Sequence, residues 1–118
     1  MPRRLLNSVK VKSVPPEEVV AALKKWKEKL SREHPEVKRV GYFGSYATGS
    51  YTPSSDLDVI LVLRDCPRPF PARLADYSAE GIPVACEVFP YTEKEIEQLG
   101  KEDSPWIKQI LKETVWLE

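Results

Sequence analysis

The chain has 118 residues, enough for one domain with a real core and too few for a second core. Its 18 Lys and Arg balance 18 Asp and Glu, so it lacks the positive excess that strong non-specific nucleic-acid binding needs. With 42% hydrophobic and 31% charged residues it reads as soluble and globular, and no apolar run approaches a membrane span.

Residues 1–15 carry Arg3, Arg4, Lys10 and Lys12 and no acid. They read as a basic N-terminal arm, whether a short strand, a contact or a loose terminus, and residues 1–12 lack the apolar core of a secretory signal. The domain proper is expected over 16–118. Residues 16–32 predict a helix. Pro16 suits its first position, Glu17 and Glu18 suit its positive end, and Val19, Leu23, Trp26 and Leu30 recur as one apolar stripe. Trp26 belongs to the core on that stripe. His34 stands at the helix exit before Pro35 and has no His partner, which makes it a capping or surface residue.

Residues 37–43 predict the first strand. Residues 57–63 are an almost unbroken apolar run, as in a central strand covered on both faces. Residues 64–81 hold three prolines and predict a loop, with a short helix over 72–79 placing Leu74, Ala75 and Tyr77 on the sheet. A third strand is expected over 82–89. Thr92 and Glu95 make a capping box for a helix over 92–99, which Gly100 stops. Ser104 caps the last helix and Pro105 opens it, with Trp106, Ile107, Ile110, Leu111 and Val115 on the buried side. The order predicts an α/β (α+β) fold, a small mixed β-sheet with helices packed on it. Cys66 and Cys86 form neither a disulfide framework nor a metal spacing, which suits reduced thiols in a cytoplasmic protein.

Between the first two strands stands Gly44-Ser45-Tyr46-Ala47-Thr48-Gly49, and the second strand opens on Ser55-Asp56-Leu57-Asp58. Gly44 permits a sharp turn and close backbone approach. Ser45 offers a hydroxyl and a free N–H at a helix start, where phosphate is attracted. Asp56 and Asp58 alternate along a strand and so share a face, where two carboxylates repel unless a cation or proton intervenes. A phosphate cradle beside paired carboxylates is the layout of Mg2+-assisted phosphoryl or nucleotidyl transfer. Glu87 sits in an otherwise apolar strand, either as an edge residue facing water or as a third carboxylate. Beside Asp56 and Asp58 the second reading is favoured.

The Gly-Ser turn, the glycine four residues on and the Ser-Asp-x-Asp before an apolar strand resemble the polymerase β-type nucleotidyltransferases. The chain's size makes it similar to the minimal members, often paired with helical HEPN-domain proteins in toxin–antitoxin systems. The resemblance spans roughly residues 16–117. It implies nucleotide contacts at Gly44, Ser45 and Ser55, and two Mg2+ ions at Asp56, Asp58 and Glu87. It also implies an NTP donor, with ATP and transfer of AMP expected, and a hydroxyl acceptor expected to be a tyrosine of a HEPN-type partner toxin. A HEPN-domain protein or a second copy of the chain is the implied binding partner. Two positions depart from that pattern. Thr48 stands where many minimal members carry Arg, leaving Arg39, Arg64 or a partner's Arg to meet phosphate. Glu87 stands where Asp is commoner. The alternative to an enzyme is a binding module that covers its partner, with Trp106 and Trp116 as contacts.

Overall fold

The structure, a computed structural model, describes residues 14–117. The N-terminal arm lies outside the described residues except for its last two positions. Helix α1 (Pro16–Glu33) forms on the expected stripe, and Val19, Leu23, Trp26 and Leu30 are its buried residues. The His34 N–H closes it on the Leu30 carbonyl at 2.7 Å. Strand β1 (Val37–Phe43) runs antiparallel to β2 (Leu57–Leu63), which runs parallel to β3 (Cys86–Thr92). A two-residue β4 (Val115–Trp116) pairs with Gly41 and Tyr42 of β1. The order β3-β2-β1-β4 makes a four-stranded mixed sheet with β2 inside.

Six of the seven residues of β2 are buried, and the exception is Asp58. Leu57, Val59, Leu61 and Leu63 join the α1 stripe on one face. On the other, Ile60 packs with Phe43 and with Ile110 of α5 (Pro105–Glu113). Alternation along one strand thus feeds two apolar layers, the signature of an interior strand.

The third strand begins at Cys86, later than the sequence predicts, and runs through Pro90 to Thr92. Leu57 N–H donates to the Ala85 carbonyl at 2.8 Å, so alternation turns the backbone groups of Cys86, Val88 and Pro90 away from β2. Proline is tolerated on such an outer edge because its missing N–H has no ladder partner to lose. Its carbonyl takes an Nη1–H bond from Arg73 at 2.9 Å.

Arg73 explains a second correction. Helix α3 (Phe70–Asp76) starts two residues early and leaves Leu74 47% exposed, while Arg73 is 3% exposed. Its guanidinium meets both carboxylate oxygens of Glu95 at 2.7 and 2.9 Å and the Arg68 carbonyl at 2.8 Å. A charge is buried there because four of the five guanidinium N–H groups find acceptors, two of them on a carboxylate. Tyr77 is buried as expected.

Helix α4 (Glu93–Lys101) carries the Thr92/Glu95 capping box. Gly100 lies inside it, and the turn is made by Asp103 at φ 58°. Ser104 caps α5 as expected, accepting from Ile107 N–H. Trp106 and Val115 are 47% and 40% exposed. Trp106 instead flanks the rings of Phe89 and Tyr91, each at 6.1 Å.

β4 reaches β1 because Gly41 has no side chain. A Cβ there would stand 2.6 Å from Thr114 Cγ2, 2.8 Å from Trp116 Cε3 and 3.0 Å from the Val115 carbonyl. Gly41→Ala is therefore expected to cost about 1–3 kcal/mol by pushing β4 off the sheet. Gly100→Ala, in a helix with nothing within 4 Å of the new carbon, should gain about 0.5–1 kcal/mol. Urea unfolding of both variants reads the two signs, and equal effects would contradict this account of β4.

Candidate active site

β1 ends at Phe43 and the chain turns at Gly44, with φ 79° and ψ −151°. That backbone region is essentially closed to residues with a Cβ. The close approach that a glycine allows here is to the protein itself: a Cβ at Gly44 would lie 2.5 Å from Asp58 Oδ2. Any side chain at 44 would disturb that carboxylate as well as the turn.

The turn leads into α2 (Ser45–Thr48), closed by Gly49 at φ 82°. Ala47 and Thr48 N–H both return to the Gly44 carbonyl at 3.0 Å. The N–H groups of Ser45 and Tyr46 open the helix ahead of this pattern and have no backbone acceptor among the described residues. In four residues it is these donors that could meet an anion, since little dipole accumulates over one turn. Thr48 Oγ1 stays local, donating to the Gly44 carbonyl at 3.3 Å and lying 2.9 Å from Ser50 Oγ. Ser55 is a turn residue whose Oγ accepts from Thr52 N–H at 2.7 Å. Tyr46 and Tyr51 stack on each other at 5.1 Å and 7°.

The strand register brings the acids together. Asp58 lies opposite Phe43 on one side and level with Glu87 on the other. Level residues of neighbouring strands share a face, so Asp58 and Glu87 project side by side. Asp56 stands two residues earlier, exposed just outside β2. Glu87 is exposed on the edge strand. Burial raises the pKa of Asp58 above the ordinary aspartate value, and the charges of Glu87, Asp56 and Glu113 raise it further. Burial and the same Asp56, Asp58 and Glu87 charges push the Cys86 thiol up to about 12, keeping it protonated. Cys66 is likewise a free thiol.

Glu113 escapes the sequence reading. It is the last residue of α5, and its Oε1 accepts from Gly44 N–H at 2.9 Å across 69 residues of sequence. Gln109 Nε2 donates to its other oxygen at 3.1 Å. The one local signal is an acid in the final turn of a helix, where the dipole disfavours it.

Arg39 and Arg64 do not replace the missing arginine of the cradle. Arg39 is level with Val62, four residues back along β1 from Phe43, about 13 Å at the usual strand rise. Its guanidinium lies 3.8 Å over the Trp116 ring. Together with Arg64 it lines a separate groove of about 810 Å³.

The donor set suits a hard divalent cation, because carboxylate oxygens are its preferred ligands. Among the described residues no three His, Cys, Asp or Glu converge into a finished metal-holding group. Magnesium commonly takes one or two carboxylates and completes its shell with substrate phosphates and water. The crowded, raised Asp58 fits a cation of that kind, arriving with a polyphosphate.

A model of the nucleotidyltransferase domain family matches residues 23–117. The chain belongs to this family. The match includes Gly44, Ser45, Asp56, Asp58, Glu87 and Glu113, so nucleotidyl transfer is the reaction class of the domain that holds them. The fold is similar to that of a Sulfolobus solfataricus protein proposed to be a nucleotidyltransferase, known from a crystal structure at 1.40 Å. The TM-score is 0.62 at 20% identity, covering 86% of this chain and 80% of that one, a likeness of fold. Comparison with curated proteins finds no match. Among the described residues of this nucleotidyltransferase domain, no helix is long and apolar enough to cross a membrane.

The raised Asp58 gives a signed expectation. The folded domain holds that proton more tightly than the unfolded chain, so the wild type loses stability as pH rises through the raised value. Asp58→Asn has no proton to lose. Without metal it should equal the wild type in acid, below the ordinary aspartate value, and exceed it increasingly towards neutral pH. Urea unfolding across pH in a chelator measures this, and a variant less stable than wild type at neutral pH would contradict the electrostatic account.

Proposed function

We propose that this domain transfers a nucleoside monophosphate from an Mg2+-bound NTP, with ATP as donor, to a hydroxyl acceptor. The observation that carries the reading is the level pair Asp58 and Glu87 beside the Gly44 turn. The N–H groups of Ser45 and Tyr46 and the Ser45 hydroxyl receive the triphosphate, with Ser55 holding the turn behind it. Asp56 and Asp58 would hold two Mg2+ ions, with Glu87 completing the site on the acceptor side. Bound there, the cations would neutralise phosphate charge and stabilise the attacking and leaving oxygens.

Glu87 is exposed on an edge strand, so an acceptor can reach it from solvent. Its carboxylate orients the acceptor hydroxyl and takes its proton as the oxygen bonds to the α-phosphorus. The bond from that phosphorus to the bridging oxygen breaks, and pyrophosphate leaves. The extra methylene of Glu over Asp extends its reach. As acceptor we infer a tyrosine of a HEPN-type partner, with this chain as antitoxin in the cytoplasm. The family resemblance supports this choice, and so does an open edge that leaves room for a partner's wall.

A second reading rests on Thr48 and Trp106. Thr48 brings no charge to the cradle and bonds within its own turn. The exposed Trp106, beside the half-buried rings of Phe89 and Tyr91, offers an aromatic contact. On that reading the domain covers its partner without transfer.

Asp56→Asn with Asp58→Asn separates the two. Transfer of α-label from NTP to a co-purifying protein should fall by orders of magnitude. Thermal melts should show the metal-free fold intact and the stabilisation by Mg2+-NTP largely lost. Normal transfer by the double variant would place the chemistry elsewhere. A wild type with neither ligand shift nor transfer would favour the binding module.

A further inference from the structure

Glu113 is held where it is by structure on both sides. Ile107 and Ile110 bury α5. Thr114 closes it, with N–H and Oγ1 both donating to the Ile110 carbonyl at 3.0 and 2.6 Å. The next two residues pair with β1. From this anchored end the carboxylate reaches Gly44 N–H at 2.9 Å while Gln109 holds its second oxygen.

A strand-end N–H needs an acceptor, and a neutral side chain would serve. A carboxylate instead adds charge beside Asp58, which the acids around it already burden, and it does so at the unfavourable end of a helix. The same N–H begins the turn whose next two N–H groups have no backbone partner among the described residues. An anion thus already occupies the first donor of the cradle, and it belongs to the protein. We propose that Glu113 is a positioning residue that stands in for phosphate: it holds the Gly44 N–H in the nucleotide-free domain and is displaced when a polyphosphate group binds there. This rests on the reading that the Gly44–Ser45 turn receives the triphosphate.

The two roles open to Glu113 predict opposite signs. If it only braces the turn, removing it weakens polyphosphate binding. If it competes, removing it tightens binding. Inorganic triphosphate with Mg2+ is the probe, titrated calorimetrically into the full chain. Glu113→Gln keeps an oxygen for Gly44 N–H and loses the charge, and should bind severalfold tighter. Glu113→Ala loses both, and should gain about tenfold or more, the scale of one charged hydrogen bond. Glu97→Gln removes a charge from the groove around Arg39 and should leave affinity unchanged. In the wild type, the Gly44 amide resonance should move on adding triphosphate, as the carboxylate leaves.

Equal or weaker binding by Glu113→Gln overturns the proposal, and so does an equal gain in Glu97→Gln. If Glu113→Ala does not fold, the Gln variant decides alone. Triphosphate binding by neither wild type nor variants would sink the cradle reading itself, and this inference with it. Binding by the wild type with the wrong order of variants sinks only this one.

Discussion

Gly44 has no side chain, and the carboxylate of Asp58 fills the place where one would be. That contact joins two consecutive strands at the point where the sheet gives way to the turn. It requires β1 to end at Phe43, because Phe43 is the residue opposite Asp58. It requires the φ 79° that only glycine takes without strain. From the same register follow the place of Glu87, level with Asp58 on the other side, and the reach of Glu113 to the turn. The acids are brought together by strand pairing, and no short-range preference of their own would gather them.

Gathering them has a cost that the rest of β2 offsets. Asp58 sits among like charges, with its pKa raised by burial and by its neighbours. Its own strand supplies six buried apolar residues, each contributing about 1.5–3 kcal/mol on full burial. One unfavourable carboxylate in an interior strand is affordable when the residues on both sides of it are core. The strand therefore does two jobs by alternation: odd positions from Leu57 fix it to α1, and Asp58 opens the site on the other face.

How much of this could be read from the chain depends on the range of the interaction. α1, β1 and β2 stand close to where periodicity puts them, because their patterns are local and strong. The caps at Thr92 and Ser104 were legible for the same reason. The turn at Gly44 and the pair Asp56 and Asp58 were legible as a motif. What escaped is tertiary. Pro90 discourages a strand until an edge position excuses it. Arg73 looks solvated until Glu95 and two carbonyls surround it. β4 has two residues and exists because Gly41 lets it approach. Glu113 is an ordinary surface acid until the fold carries it across 69 residues to Gly44.

Glu95 and Asp58 show how the same functional group is turned to opposite ends. Glu95 accepts from both guanidinium nitrogens of Arg73 and from Thr92 N–H at 2.9 Å. The Arg73 bond leads in holding its pKa below the ordinary value. Both oxygens are engaged, and the result is a clamp tying α3, β3 and α4 together. That clamp sits at Pro90, where the β3 edge has no N–H to offer and its carbonyl is taken. Three residues earlier on the same strand, Glu87 is exposed and shares its face with an acid in place of a base. The sheet edge is thus shut where Arg73 neutralises it and left open where the carboxylates have no counter-ion among the described residues. A charge without its counter-ion is stable there only because water still reaches it. The open end of β3 is accordingly where the domain has both the access and the unsatisfied negative charge to take a cation-bound substrate.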